Sequence, residues 1–229
     1  MISIMFETQE KRINDFTFYN LVIHKGNRFA AEAARKMLRS DGGGLLYIYG
    51  PSGCGKTHLL EAVYSELRKN NVERIHISTA EEYSNELFEA LIKKEISRSR
   101  ETNRAYKALL IDDVQFISGK TSLAAEFSFN VDSVLCNGGK VLLTADRGPE
   151  EIQTDKRFRN RLASGVTAGV ELPGKAALNA VGQSVAERLG VVVSSDHIAS
   201  LAEKYSNPWL LTGAIKSASV LETIEKGDL

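Results

Sequence analysis

The sequence contains little that would place this protein in a membrane, on a secretory route or in an oxidising compartment. No apolar run approaches the roughly 18 residues of a transmembrane helix, and Met1 to Thr8 lacks the basic start and long apolar core of a signal peptide. The two cysteines, Cys54 and Cys136, lie far apart in the chain. We therefore interpret both as reduced thiols and expect a cytoplasmic protein without a membrane partner.

An excess of charge of one sign is also missing. Lysine and arginine together number 29, as do aspartate and glutamate, so the formal net charge is zero. This balance excludes a uniformly basic coat for nucleic acid, but it allows a local basic face. The chain has no internal repeat and no low-complexity segment, and its 229 residues are enough for one large domain or two small ones.

Short apolar runs alternate with stretches of helical periodicity along most of the chain. The apolar runs predict strands at 44–49, 72–78, 108–113, 140–146 and 166–172. The periodic stretches, two of which begin at the capping residues Asn27 and Thr79, predict helices at 27–38, 57–71, 79–92 and 122–135. This alternation predicts an α/β fold with a parallel sheet flanked by helices.

The pattern changes near Pro173, where the strand signals stop. Three helical stretches follow, at 175–187, 196–205 and 209–225. Ahead of the first core helix, residues 16–23 look extended. We therefore expect three parts: an N-terminal lead (1–15), an α/β core (16–173) and a small all-α lid (174–229).

A glycine-rich stretch lies between the first predicted strand and the helix that follows it. It fits the phosphate-loop template G-x-x-x-x-G-K-[ST] at every fixed position, and its residues are Gly50, Pro51, Ser52, Gly53, Cys54, Gly55, Lys56 and Thr57. Backbone N–H groups in such a loop point at phosphate oxygens. Lys56 would lie on the β- and γ-phosphates and Thr57 on Mg²⁺. The alternative is a plain glycine turn before a helix.

The buried strand at 108–113 ends in two acids, Asp112 and Asp113, which form a Walker B pattern. Parallel strands deliver such carboxylates to the edge of the sheet where ligands bind. Asp112 would hold Mg²⁺, directly or through water, and Asp113 would polarise the attacking water. Without the phosphate loop, the same pair would be read as the start of a loop.

Two further features follow in the chain. Asp146 ends the next apolar strand, where it could orient water near the γ-phosphate; the alternative is a turn or a helix cap. A dense basic cluster at 156–161 comes next. In a ring or filament of ATPases, one of its arginines could reach a neighbour's γ-phosphate, whereas in a monomer the cluster would be a solvated face.

Taken together, these residues resemble a DnaA-family AAA+ ATPase. The matching wording lies at 16–22, 25–30, 55–60, 109–116 and 143–147, and the likeness covers about residues 14–220. It implies an AAA+ P-loop NTPase fold with a helical lid. It also implies that ATP or ADP with Mg²⁺ is the cofactor and that Ile23, Asn27 and His58 join the phosphate loop in binding it.

The same resemblance assigns roles further along the chain. Asp146 would be sensor I, and Arg161 would be the arginine finger, with Arg157 as the second choice. The stretch 82–104 would be an initiator-specific helical insertion that, with the loop after Walker B, lines a channel for single-stranded DNA. Candidate phosphate contacts there are Lys93, Lys94, Arg98, Arg100 and Lys120. The alternative for these five is a solvated polar face.

Three departures from the family pattern limit the expectation. The chain ends near the end of the lid, so we expect no helix-turn-helix domain that reads duplex sites. Trp209 stands where the family's lid arginine, sensor II, is expected, and a tryptophan cannot form an arginine's fork of hydrogen bonds; Lys216 could substitute in part. Ser122 replaces a basic residue after Lys120.

The expected function is a DnaA-like ATP-binding protein that acts in the initiation of DNA replication or in its regulation. It would assemble with itself or with a DnaA-type initiator, and be a weak ATPase that needs the arginine of a neighbour. The layout is similar to that of Hda, a stand-alone DnaA-like protein, although an excised domain would read the same way. Alternative functions are a helicase loader and a nucleotide-binding adaptor with little turnover. Further candidate partners are the replicative helicase and the sliding clamp.

Overall fold

The computed structural model describes residues 16–117, 121–152, 154 and 156–225, without the side chains of Thr121, Lys156, Arg157 and residues 222–225. In chain order its strands are β1 Gly44–Tyr49, β2 Ile75–Thr79, β3 Ala108–Asp112, β4 Lys140–Ala145 and β5 Val166–Gly169. The first six α-helices are α1 Arg28–Arg39, α2 Lys56–Lys69, α3 Ala80–Ile92, α4 Ile96–Arg104, α5 Thr121–Cys136 and α6 Lys156–Ser164. The last three are α7 Lys175–Leu189, α8 Ser195–Lys204 and α9 Pro208–Glu225.

The five strands form one parallel sheet in the order β2-β3-β4-β1-β5. Because β1 lies between β4 and β5, the phosphate loop that follows β1 emerges near the ends of β3 and β4. The register pairs Ile111 with Leu143 and Tyr49 with Ala145, so the residues just after β3 and β4 share one edge. The expected parallel α/β sheet is thus confirmed.

Both faces of the sheet are apolar, as a parallel sheet between two helical layers requires. Alternate strand residues such as Tyr47 and Ile111 pack in one buried cluster with Phe127 of α5. Their neighbours, for example Ile48 and Leu110, pack in a second cluster with α1 and α2. These layers hold the strand ends, and therefore the polar residues that follow them, in fixed positions.

Helices α7, α8 and α9, which we call the C-terminal helices, have their own buried cluster. Its members include Leu178, Ile198 and Leu211. Gly182 allows the close packing here, because a β-carbon on it would lie 2.6 Å from Ile198 Cγ2. Among the described residues, no helix is long and apolar enough to cross a membrane.

The structure corrects two of the expected segments and adds detail to two others. Residues 16–23 contain a bend at 18–20 and no strand. Helix α4 lies within the stretch 82–104, for which the resemblance implies a helical insertion, and the basic cluster at 156–161 belongs to helix α6. The predicted strand at 166–172 ends at Gly169. Runs of polar residues give no apolar period, so packing against α5 and the sheet decides their helical state.

The two predicted caps have different outcomes. Thr79 caps α3 in a complete capping box, in which its hydroxyl accepts from the Glu82 N–H and the Glu82 carboxylate accepts from the Thr79 N–H. Asn27 occupies the N-cap position of α1, but its side chain makes no capping bond. It accepts instead from the His24 N–H at 2.8 Å and donates to the Val22 carbonyl at 2.9 Å, so it shapes the preceding loop.

Candidate functional site

The phosphate loop connects β1 to α2 and closes around the amine of Lys56. Gly53 and Gly55 have φ angles of 83° and 99°, a left-handed region that favours glycine. Lys56 is 7% exposed, and its Nζ donates to the carbonyls of Gly50 at 2.9 Å and Pro51 at 3.1 Å. These bonds keep a buried cation at the start of helix α2, where an anion would be favoured.

Asp112 lies at the end of β3, directly opposite the phosphate loop. The Thr57 hydroxyl donates to its Oδ2 at 2.6 Å, and the Thr144 hydroxyl donates to its Oδ1. Burial raises the pKa of the Asp112 carboxyl above its usual value, and the two hydroxyl donors oppose that rise. Sequence reasoning missed Thr144; its signal was a polar residue within the apolar β4 run.

Asp113 and Asp146 are joined through Gln115, which sequence reasoning also left without a role. The Gln115 amide donates to Asp113 Oδ1 at 3.0 Å, and its oxygen accepts from the Asp146 N–H at 3.2 Å. Asp113 has a φ of 57°, and its N–H donates to the Thr144 hydroxyl at 3.0 Å. The ends of β3 and β4 are therefore fixed to each other by side chains.

The carboxylate of Asp146 is exposed and paired with its neighbour. Arg147 donates to both oxygens, from Nε at 2.7 Å and from Nη2 at 2.9 Å. These bonds lower the pKa of the Asp146 carboxyl, which therefore stays ionised. The Arg147 carbonyl accepts from the Tyr47 hydroxyl at 2.8 Å, so a buried core residue holds this turn in place.

A cavity of about 470 Å³ opens beside these residues, a volume within the usual range for small-molecule sites. The core lines it with the phosphate loop from Ser52 to Thr57, with His58, and with Asp113, Gln115 and Asp146. The C-terminal helices line it with Val181, Ser184, Val185, Arg188, Pro208, Trp209 and Thr212. The cavity thus lies between the core and the C-terminal helices.

Residues 16–27, which we call the N-terminal loop, form a third wall of this cavity. Asn27, Val22 and His24 line it, whereas Ile23 is exposed and is not among its described lining residues. The His58 ring lies 4.7 Å from the Phe16 ring, and its Nε2 contacts the Thr17 carbonyl at 2.9 Å. Burial lowers the pKa of His58 to about 4, so this ring is neutral at pH 7.

The candidates for sensor II are placed differently by the fold. Trp209 lines the cavity near the phosphate loop, and a β-carbon on Gly53 would lie 2.7 Å from its Cδ1. Lys216 is exposed and is not among the described lining residues. The side chain of Arg188, which had no role in the sequence reading, reaches the cavity from α7.

Arg161 is on α6 and is not among the described lining residues of its own chain's cavity. Its Nε donates to Asp132 Oδ1 of α5 at 2.5 Å, and its side chain keeps 39% of its surface exposed. The pair fixes the direction of a partly exposed guanidinium. The side chain of Arg157 lies outside the described residues.

The four candidate DNA contacts that the structure describes differ in their partners. Arg100 binds Glu126 of α5 through two hydrogen bonds of 2.8 Å and lies over the Phe129 ring. Lys93 pairs with Glu89 at 2.9 Å. Lys94 and Arg98 are exposed, and Lys120 lies outside the described residues.

Metal binding rests on a small donor set. Among the described residues, no group of three or more His, Cys, Asp or Glu side chains could hold a metal ion. Thr57 and Asp112 nevertheless present adjacent oxygen atoms at the phosphate loop. Such a pair fits Mg²⁺, which keeps several waters and takes its other ligands from phosphates.

Comparison with known proteins agrees with this geometry. The family model for the bacterial DnaA ATPase domain matches residues 13–169. The chromosomal replication initiator protein DnaA of Rickettsia massiliae is 33% identical over 218 residues, which cover 92% of this chain and 46% of that protein. The chain therefore spans about half the length of the curated relatives it matches.

Solved structures give the same result. Domain III of the Thermotoga maritima replication initiation protein DnaA has a TM-score of 0.87 at 28% identity, covering 93% of this chain and 90% of that one. A replication initiator DnaA bound to AMPPCP and single-stranded DNA has a TM-score of 0.81 at 27% identity, covering 93% and 68%. On the matched sequence and the shared fold, this chain belongs to the bacterial DnaA ATPase-domain family of AAA+ P-loop proteins.

Proposed function

We propose that the cavity binds ATP or ADP with Mg²⁺, and that the chain is a slow, assembly-dependent ATPase. The observation that carries this proposal is the joint placement of Lys56, Thr57 and Asp112 around one loop. Lys56 would exchange its two carbonyl partners for phosphate oxygens. Thr57 and Asp112 would hold Mg²⁺, which would supply neutralisation of phosphate charge during transfer of the γ-phosphoryl group from ATP to water.

The residues at the strand ends would handle the attacking water. Asp113 would accept a hydrogen bond from that water, and Gln115 would keep Asp113 and Asp146 at a fixed separation. Asp146 is held ionised by Arg147 and would orient the water through one oxygen once the pair opens. Together these groups supply orientation and electrostatic stabilisation, which are the main contributions in phosphoryl transfer.

Efficient turnover would require a second molecule. Arg161 is absent from its own chain's described cavity lining, yet it is partly exposed and oriented by Asp132. We propose that it reaches the γ-phosphate of a neighbouring DnaA-type protomer, so that nucleotide and assembly are coupled. The biological role we propose is the initiation of DNA replication or its regulation in the cytoplasm.

Nucleotide binding can be tested with Lys56→Ala. We expect this variant to lose ATP and ADP binding in calorimetry, because the buried cation at the phosphates is gone. Lys69→Ala, at the exposed far end of the same helix, is the matched control and should bind as the unmodified chain does. Equal affinity of the two variants would refute the phosphate-loop assignment.

Assembly can be tested by mixing two inactive variants. Arg161→Ala lacks the proposed finger and Asp113→Ala lacks the water-orienting carboxylate, so each alone should turn over little ATP. A mixture should recover part of the activity, because Asp113 of one protomer and Arg161 of the other complete a mixed site. Absence of recovery at high protein concentration, with nucleotide still bound, would exclude the finger and leave the binding proposal standing.

Single-stranded DNA is a second proposed ligand, motivated by the relative solved with it. The exposed Lys94 and Arg98 are the best placed candidates, since Arg100 and Lys93 already have carboxylate partners. Affinity should fall by roughly 0.7 log units per log unit of salt for each phosphate contact. Binding that ignores salt would contradict this assignment.

A further inference from the structure

One lysine, Lys56, and one arginine, Arg188, are among the described lining residues of the cavity. Lys56 lies at the phosphate-loop end of the cavity. Arg188 comes from the opposite side, near the C-terminal end of α7. It belongs to a stripe of that helix that faces the cavity, formed by Val181, Ser184, Val185 and Arg188. Because these residues are spaced three or four positions apart, they share one face of the helix, so Arg188 faces the cavity together with its apolar neighbours.

Arg188 is held in place by an aromatic stack. Its guanidinium lies 4.7 Å from the centre of the Phe16 ring, which in turn lies 4.7 Å from the His58 ring. A cation over an aromatic face is attracted to it and keeps its plane defined. The contact therefore orients the guanidinium without using its N–H donors.

A second contact fixes the same helix to the N-terminal loop. The Ser184 hydroxyl, one turn before Arg188, donates to the Asn20 carbonyl at 2.9 Å. The Asn20 side chain also lies 3.1 Å from His58 Nε2. Within the described part of the chain, no carboxylate forms an ion pair with Arg188. An oriented cation without an anionic partner, facing a cavity, suits a ligand that carries hydrogen-bond acceptors and negative charge.

The position of the stack decides which part of a nucleotide Arg188 would meet. Asp113 and Asp146 mark the γ-phosphate end, at the edge of the sheet. Phe16 and His58 lie with the N-terminal loop on another wall of the cavity. Rings and a guanidinium plane offer stacking surface to a base and donors to the first phosphate.

We propose that Arg188 is the residue through which the C-terminal helices bind the nucleotide, at the nucleoside and its first phosphate. This inference rests on the proposed nucleotide binding. Because ATP and ADP share this part, Arg188 would report that a nucleotide is present, without distinguishing the two. Arg188 would also couple the C-terminal helices to the core, since the bound nucleotide would contact both.

The test compares ATP and ADP affinities, measured by calorimetry, in the unmodified chain and in two substitutions. Arg188→Ala should weaken the binding of both nucleotides by about tenfold, which is the effect expected from losing one charge-assisted hydrogen bond. Arg188→Lys keeps the charge but not the planar fork, so it should recover part of the affinity. The matched control is Arg35→Ala, since Arg35 lies 5.0 Å over the Phe18 ring outside the described cavity lining and should leave both affinities unchanged.

The outcomes separate this inference from the function on which it rests. If the unmodified chain binds neither nucleotide, nucleotide binding fails and the inference fails with it. If the unmodified chain binds but Arg188→Ala binds equally well, only the role of Arg188 is overturned. A loss for ATP alone would overturn the assignment too, because it would place the guanidinium at the γ-phosphate. If Arg35→Ala reproduces the effect, the loss comes from general destabilisation and the inference is rejected.

Discussion

The two sides of the cavity are built in different ways. On the core side, Lys56, Thr57 and Asp112 are joined to their partners by hydrogen bonds of 3.1 Å or less. On the side of the C-terminal helices, Asn207 reaches the Ser52 carbonyl at 3.5 Å, and Trp209 keeps 68% of its surface exposed. The core side is therefore fixed by short hydrogen bonds, whereas the other side is held to the core by few contacts and can adjust its position.

This difference follows from what each side is attached to. Asp112 ends a strand of a sheet that is buried on both faces, and Lys56 and Thr57 begin the helix packed on that sheet, so their backbone has little freedom. The C-terminal helices have a separate buried cluster and meet the core through a few polar and aromatic contacts. Regions with few cross-contacts are the ones that move at low free-energy cost.

The largest expected effect comes from the core side, through Asp112→Asn. We expect magnesium-dependent ATP turnover to fall by about a hundredfold, because a neutral amide is a poor ligand for the ion. Without nucleotide, the same change should raise the melting temperature, since burial already raises the pKa of this carboxyl and makes its charged form unfavourable. Asp41→Asn, on an exposed loop, is the control, and unchanged turnover by Asp112→Asn would contradict the metal assignment.

Lowering the pH should destabilise the core through His76, which lies outside the described lining of the cavity. His76 lies between the rings of Tyr83 and Tyr106, and burial lowers its pKa to about 4, below the usual 6.5. Its contribution to stability is therefore present above pH 6.5 and is lost as the pH falls towards 4. For a fully buried ring, this pKa difference corresponds to roughly 3 kcal/mol of unfolding free energy. Because the His76 side chain is not fully buried, we expect about 2 kcal/mol.

Glu86, 3.7 Å from His76, acts in the opposite direction. Burial and the charges of Glu82 and Glu89 raise the pKa of Glu86 to about 7 from 4.5. Its contribution to the stability of the fold is therefore present below pH 4.5 and is lost as the pH rises through 7. Its side chain is 49% exposed, and screening by water makes this effect the smaller one.

Denaturant titrations between pH 4.5 and 7 separate the two groups. In the unmodified chain their slopes oppose each other. Glu86→Gln should leave stability that rises with pH, and His76→Gln should leave stability that falls with pH. ATP affinity at pH 7.5 should be unchanged in both variants, because neither side chain is among the described cavity lining. The same pH dependence in both variants would show that other groups dominate.

The smallest expected effect tests the contact between the two sides. Gly53→Ala and Gly55→Ala both place a side chain at a left-handed φ, which costs roughly 1 to 2 kcal/mol. A β-carbon at Gly55 meets nothing within 4 Å, whereas one at Gly53 would lie 2.7 Å from Trp209. Only Gly53→Ala should therefore shift the fluorescence of Trp209, the one tryptophan of the chain. An equal shift in both variants would mean that strain alone moves the C-terminal helices.

Much of the core side was predictable because its signals are local. The phosphate loop has fixed glycine positions, and the Asp112–Asp113 pair ends an apolar run, so one short window reveals each. Thr144 and Gln115 were missed, since a polar residue within or just after an apolar run does not by itself indicate which side chain it will bind. Their roles depend on β3 and β4 being neighbours, which brings Thr144 to Asp112 across the sheet.

The side formed by the C-terminal helices was predicted less well for the same reason. The sequence drew attention to Trp209 and Lys216, but the structure brings Arg188 into the cavity and leaves Lys216 exposed. The interaction of Arg188 with Phe16 joins residues far apart in the chain. Nothing in the sequence around either residue indicates it.

By itself, the sequence determined the phosphate loop, the strand that carries Asp112, the alternation that produces a parallel sheet, and the family. These depend on backbone conformation and apolar period, which neighbouring residues set. The tertiary structure alone decided which polar side chains meet at the strand ends, that Arg161 is absent from the described lining of its own chain's cavity, and that Arg188 lines it. Contacts of this kind depend on strand order and helix packing, which no short stretch of sequence encodes.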